Sequence, residues 1–181
     1  MDNEHLDVTK AVAIIENIKE IIDANKEFLT RLDSAIGDAD HGINMSRGFT
    51  KALEKVRSNQ YNDIGAVFKD VAMTLMSTVG GAAGPLYGTF FMRASMKLSG
   101  HQEVDLALLA QAFREGLQGV VALGKAQLGD KTMVDALTPA IEALEAAAKQ
   151  GLPLKEGLKR ALAMAEKGMN DTIPLVARKG R

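Results

Sequence analysis

Three carboxylates fall within eight positions of one another in the stretch Leu32-Asp33-Ser34-Ala35-Ile36-Gly37-Asp38-Ala39-Asp40-His41-Gly42-Ile43-Asn44, with glycines on both sides. One Asp in a glycine-rich turn ordinarily serves as a turn or cap residue, because it tolerates left-handed backbone and bonds its own chain. Three with no Lys between them ask for more. If Asp33 ends a helix and Asp38 and Asp40 sit in the loop after it, all three can turn toward one point, where their charges repel unless a cation intervenes. Oxygen-only donors suit a hard divalent ion, and magnesium binds through a few carboxylates with water and substrate phosphates completing its shell. The Asp38-x-Asp40 spacing with Gly42 faintly resembles an EF-hand, but Phe49 stands where the closing Glu belongs, which excludes that calcium geometry.

A magnesium–phosphate site also needs donors for the phosphates. Gly80-Gly81-Ala82-Ala83-Gly84 leading into a helix offers small side chains, open N–H groups and a helix N-terminus. A helix stop with tight packing uses the same residues. Gly129-Asp130-Lys131-Thr132 can present backbone and hydroxyl groups in the same way, and a capped helix start explains it equally well. His41, beside the acids, suits a phosphate donor or a solvent-facing turn residue. It has no Ser or Cys nucleophile paired with it, so a hydrolytic triad finds no support. The run from Gly119 to Ala126 nearly spells a P-loop, but Ala126 replaces the Ser or Thr that would hold magnesium, and the run follows helix rather than strand.

The elements that must position these residues read as helices nearly throughout. Val12, Ile15, Ile18, Ile22, Leu29, Leu32 and Ile36 recur at helical steps, which predicts one long amphipathic helix over Asp7–Ser34. A second runs from Gly42 toward Arg57. Asn62 or Asp63 caps a third, which Gly80–Gly84 ends. Pro85 suits the first turn of a fourth, Leu86–Leu98, apolar nearly all round and so expected to be buried. Asp105 caps a fifth reaching Leu123. Thr132-Met133-Val134-Asp135 has the form of a capping box opening a sixth. Pro153 opens a seventh, and Pro174 marks a break before a short eighth. No stretch alternates as a strand does. The fold class is therefore all-α, an eight-helix antiparallel up-and-down bundle or barrel with residues 1–181 as a single domain.

If consecutive helices run up and down, the turns near residues 34–42, 80–84, 124–131 and 170–174 all lie at one end. Three of these are the glycine-bearing turns described above. Net charge is −1 with both signs scattered, which argues against nucleic acid or anionic membrane as a main partner. No apolar run approaches the ~18 residues of a membrane helix. The chain has no Cys, and its first residues do not have the form of a signal peptide, which fits a cytoplasmic protein. Hydrophobic residues make up 46% and aromatics 4%, so the core must be mainly aliphatic, with the nine Met as filler. Met133 is the exception, placed where a base pocket would lie.

Leu32–Met45, Gly80–Thr89 and Gly129–Asp135, in that order, resemble the motifs of the nucleotide-binding, DhaL-type subunits of dihydroxyacetone kinases. The similarity runs nearly end to end. The Asp-Ala-Asp-His wording resembles the phosphotransferase-system branch, whereas ATP-dependent relatives and fatty-acid kinases vary at the Ala and His positions. The resemblance implies an eight-helix barrel holding ADP or ATP and two Mg²⁺ at one end. It implies Asp33, Asp38 and Asp40 as metal ligands. It implies nucleotide contacts from His41, Gly42, Ile43, Asn44, Ala82, Ala83, Gly124 and Met133, with Arg181 a further contact at the start of a C-terminal lid. In that branch ADP stays bound, a DhaM-type phosphohistidine partner rephosphorylates it, and the γ-phosphoryl passes to dihydroxyacetone on a DhaK-type subunit. Three alternatives remain open: an ATP-dependent kinase subunit for a small acceptor, a metal-dependent phosphohydrolase, and a non-enzymatic helical binding module. A homodimer also remains open.

Overall fold

The computed structural model describes residues 5–180, and among them the chain forms eight helices and one two-residue ladder. The stretch predicted as a single first helix is two, α1 (Val8–Ala24) and α2 (Lys26–Ser34). The interruption is Asn25, whose backbone leaves helical geometry at φ −107° and ψ 7° while its side-chain amide joins its own N–H on the Ile21 carbonyl, at 2.8 Å. α1 lies antiparallel to α3 (His41–Ser58), with Glu16 meeting Arg57 and Asp23 accepting from Ser46 Oγ at 2.6 Å, and α2 packs against the start of α3, where Gly42 abuts Lys26 and Thr30. They count as one pass of the bundle.

After α3 come α4 (Ile64–Thr78), α5 (Ala83–Leu98), α6 (Leu106–Gly124), α7 (Val134–Lys149) and α8 (Leu154–Asp171). Each packs mainly on the helices before and after it, giving the up-and-down order that short loops predict. Three starts are set by Asp caps: Asp7, Asp63 and Asp105 accept from the N–H groups of Lys10, Ala66 and Leu108 at 2.7, 2.8 and 2.8 Å. β1 (Leu6–Asp7) pairs antiparallel with β2 (Glu103–Val104). Strands this short leave no alternation to read. Among the described residues no helix follows Pro174. The chain leaves α8 in turns and then runs beside the 125–133 segment, where the Arg178 N–H donates to the Asp130 carbonyl at 3.1 Å. The carbonyls of Ile173 and Leu175 accept from Lys131 Nζ at 3.2 and 3.1 Å instead of from a next helical turn.

One core runs from Leu6 to Leu154. At its centre Phe91 meets Phe49, Phe68 and Phe90 edge-on, with ring centroids 6.3, 5.4 and 5.8 Å apart. Those rings explain why methionine fills less of the core than expected. Met45 is the one methionine buried there among the described residues, while Met73, Met76, Met96 and Met169 are exposed. Phenylalanine takes the wide centre and Ala and Gly take the close helix contacts, which leaves long flexible side chains on outward faces. α5 accordingly starts at Ala83 and buries one face only, with Met96 outside. α6 corrects another expectation, since by length and composition it could cross a membrane. Here it is a core helix between α5 and α7, and its Arg114 pairs with Glu145 of α7 through contacts of 2.8 and 2.6 Å.

Candidate functional site

Because α1 and α2 make one pass, the turns before α3, α5 and α7 and the segment after α8 meet at one end. A cleft of about 660 Å³ opens between them, within the roughly 300–1,000 Å³ typical of small-ligand sites. Asp33 sits in the last turn of α2, and Asp38 and Asp40 in the loop before α3. One carboxylate oxygen from each lies within 4.8 Å of the other two. Two glycines permit this approach. A Cβ on Gly37 would stand 1.9 Å from Asp33 Oδ1, and one on Gly42 would stand 2.0 Å from the Lys26 carbonyl, prising α3 off α2.

Asp33 Oδ2 also accepts from the N–H groups of Asp40 and His41 at 3.0 and 3.3 Å. It thereby closes the loop and places negative charge at the start of α3, which its own N-cap side chain leaves uncapped. Ala39 turns the bend at φ 59°, a conformation that costs a non-glycine residue about 1 kcal/mol. Three hard oxygen donors gathered in this way fit magnesium or a similar divalent ion.

Three helix N-termini border the cleft, α3 at His41, α5 at Ala83 and α7 at Val134. None is capped by the side chain of its N-cap residue. The positive ends of three helix dipoles therefore gather at one opening, which favours an anion, although Asp33 takes the His41 N–H of α3 and Thr132 takes the Val134 N–H of α7. Gly80 and Gly81 lie between them, and Gly81 sits at φ 65°.

The opposite wall is the segment between α6 and α7. Lys125, Gly129 and Lys131 all have positive φ there. Two buried carboxylates brace it: Asp130 accepts from Gln127 N–H at 3.0 Å, and Asp135 accepts from Gly129 and Thr132 N–H at 2.6 and 2.9 Å. The Asp135–Thr132 bond is the acidic half of the expected capping box, while Thr132 Oγ1 accepts from Val134 N–H instead. This bracing holds Met133 at the cleft, where Leu86, Val120 and Gly124 complete an apolar slot. Lys131 and Lys179 supply positive charge to the lining. Lys131 Nζ also donates to the carbonyls of Ile173 and Leu175 at 3.2 and 3.1 Å, fastening the segment after α8.

Of the residues singled out from sequence, Asp33, Asp38, Asp40, His41, Asn44, Ala82, Ala83, Gly124 and Met133 line the cleft. Gly42 and Ile43 are not in the lining. Gly42 is buried against α2 and the Ile43 side chain points outward, so the first-turn N–H groups are what they could offer a ligand. Arg181 lies outside the described residues. Leu86 and Val120 escape sequence reading because an apolar helix position reads as core. Asp130 is missed too, since nothing in its neighbourhood marks it as a brace. For Asp135 the signal was present in its spacing from Thr132.

The DAK2 domain family matches residues 35–181. The chain is 45% identical to the PEP-dependent dihydroxyacetone kinase ADP-binding subunit DhaL of Escherichia coli (strain K12), over 96% of this chain and 82% of that protein. It is 39% identical to the ADP-binding subunit DhaL of PEP-dependent dihydroxyacetone kinase 2 of Listeria innocua, over 93% of this chain and 78% of that one. Among solved structures, the dihydroxyacetone kinase of C. freundii in its native form superposes with a TM-score of 0.74 at 26% identity, covering 88% of this chain. The same kinase in complex with AMP-PNP and Mg²⁺ superposes with a TM-score of 0.69 at 25% identity, covering 91%. This chain spans 28% and 34% of those two solved chains, against most of the length of the curated relatives. Matched over most of its length by the family and by relatives of nearly its own extent, the chain belongs to the DAK2 domain family.

Proposed function

We propose that this chain is the ADP-binding subunit of a phosphoenolpyruvate-dependent dihydroxyacetone kinase. Bound ADP accepts a phosphoryl group from a phosphohistidine on a DhaM-type partner, and the γ-phosphoryl is then passed to dihydroxyacetone held on a DhaK-type subunit. The observation that carries this reading is the convergence of three carboxylates and three helix N-termini on one cleft. The names of the E. coli and Listeria relatives, and the AMP-PNP and Mg²⁺ in the C. freundii structure, support the same ligand.

Asp33, Asp38 and Asp40 would hold the magnesium, two ions in this reading. Magnesium supplies neutralisation of phosphate charge, which is most of what phosphoryl transfer asks of a protein besides positioning. The first turns of α3 and α5, with Asn44 and the Gly80–Gly81 loop, receive phosphate oxygens. The slot of Leu86, Val120 and Met133 takes the flat apolar face of the base. No residue of the cleft needs to act as a covalent nucleophile, since the acceptor comes from another chain.

The test is Asp38→Ala, read by calorimetry with ADP and magnesium and by transfer assays with both partners. Loss of both with an unchanged helical circular dichroism spectrum is expected. A variant with ordinary ADP affinity and full turnover overturns the metal assignment. Retention of ADP through gel filtration separates a resident cofactor from the freely exchanging nucleotide of an ATP-dependent subunit. Phosphate release with no partner present would favour a phosphohydrolase.

A further inference from the structure

Arg47 lies on α3 one turn beyond Asn44 and is not among the cleft-lining residues. Its guanidinium makes two connections. Nε and Nη2 donate to the carbonyl of Thr78, the last residue of α4, at 3.2 and 3.0 Å. Nη2 also donates to Asn44 Oδ1 at 2.7 Å. Arginine offers donors only, so the Asn44 amide must present its oxygen to Arg47 and turn its nitrogen away. The geometry at Gly80 agrees with that orientation. From the position a Gly80 Cβ would take, Asn44 Nδ2 is 3.4 Å away and Oδ1 is 4.0 Å away. Asn44 itself is 8% exposed and lines the cleft.

We propose that Arg47 is a positioning residue, fixing the Asn44 amide so that its N–H donors face the Gly80–Gly81 loop and a phosphate bound there. By holding the last carbonyl of α4 with the same fork, it also anchors the start of that loop. A lysine, with a point charge instead of a planar fork, reproduces this only in part. The proposal rests on the cleft being a magnesium–nucleotide site, and its test separates the two.

Two measurements decide it. In ligand-free protein, the side-chain amide signals of Asn44 should be resolved and slow to exchange in the wild type. They should be averaged in Arg47→Ala and intermediate in Arg47→Lys. By calorimetry with ADP and magnesium, Arg47→Ala should weaken binding about tenfold, the order expected for one hydrogen bond to a charged group. In an Asn44→Ala background the same change should cost less than about twofold, because the residue it acts through is gone. Unchanged Asn44 signals in Arg47→Ala overturn the proposal. Equal losses in both backgrounds also overturn it, since they would show anchoring of α4 alone. If the wild type binds no ADP, the nucleotide reading falls, and the amide signals still decide whether Arg47 orients Asn44.

Discussion

The two ends of the bundle are built differently. At the end away from the cleft, α1, α4 and α6 each begin with an Asp that accepts from its own helix, while α8 begins at Pro153 without a side-chain cap. The left-handed positions there, at the turns before β2 and α8, are both glycines, Gly100 and Gly151. The Ile64 N–H finds the His101 carbonyl at 2.9 Å, and Leu6 pairs with Val104. At the cleft end, α3, α5 and α7 begin without a cap from their N-cap side chains, three carboxylates crowd together, and Ala39, Lys125 and Lys131 occupy left-handed backbone. One end caps three of its helices from their own N-cap residues and places glycine where geometry asks for it. The other borrows Asp33 for the His41 N–H and Thr132 for the Val134 N–H, and tolerates strain.

The most severe way to break this contrast is to put a carboxylate where an anion is expected. Ala82→Asp places negative charge at the start of α5. That charge suits the helix dipole by about 0.3–1 kcal/mol, so thermal stability should hold or rise slightly. ADP binding with magnesium should nevertheless fall by more than about a hundredfold, near 3 kcal/mol. Calorimetry and a melting curve on one sample measure both, and retained affinity would mean that the α5 terminus does not receive phosphate.

The complementary change removes a cap at the far end. Asp105→Ala should cost about 1 kcal/mol, lowering Tm by roughly 2–4 °C for a chain of this size, with ADP affinity unaltered. A fall in affinity comparable to that of a cleft variant would show that the two ends are coupled.

A third test concerns pH. Tyr61, in the turn between α3 and α4, donates to Asp70 at 2.7 Å. Burial first, and Asp70 second, push its hydroxyl up to about 12. Burial also raises Tyr87 on α5. A folded value above the unfolded one stabilises below the unfolded value of 10 and is lost as pH climbs from there toward 12. These are the two tyrosines in the chain. Tyrosinate absorbance should therefore be missing near pH 10 in native protein and present in urea, and Tyr61→Phe should lessen the loss of stability above pH 10. Ordinary titration of both hydroxyls in the folded state would refute the burial that raises them.

This contrast also explains what the sequence could and could not reveal. Capping residues and prolines mark helix starts by local chemistry, so Asp63, Asp105 and Pro153 were legible. The acids were legible because Asp33, Asp38 and Asp40 fall within one short stretch around Gly37. The break at Asn25 was not, since apolar steps continue across it from Ile22 to Leu29 and only the backbone angles at Asn25 show it. The path after Pro174 depends on Lys131 and Asp130, residues distant in sequence. Leu86 and Val120 carry the same apolar signal whether they face a core or a ligand. Arg47 reads as a surface cation until Thr78 and Asn44 are seen around it.

The smallest expected effect tests whether the strain at Ala39 has a use. Glycine there relieves about 1 kcal/mol of left-handed strain, while the freer unfolded chain takes back roughly half of that. Ala39→Gly should therefore gain on the order of 0.5 kcal/mol, about 1–2 °C in Tm. The metal-free loop would then sample more backbone states, and ordering it on binding should weaken magnesium affinity by no more than about threefold. Opposite signs in the two measurements are what a loop held ready at the expense of stability predicts. Gly100→Ala in the far turn, where φ is 78°, should lose stability and leave affinity alone. If Ala39→Gly instead tightened binding, the bend would be an accident of sequence, and the account of the cleft end as deliberately strained would have to be withdrawn.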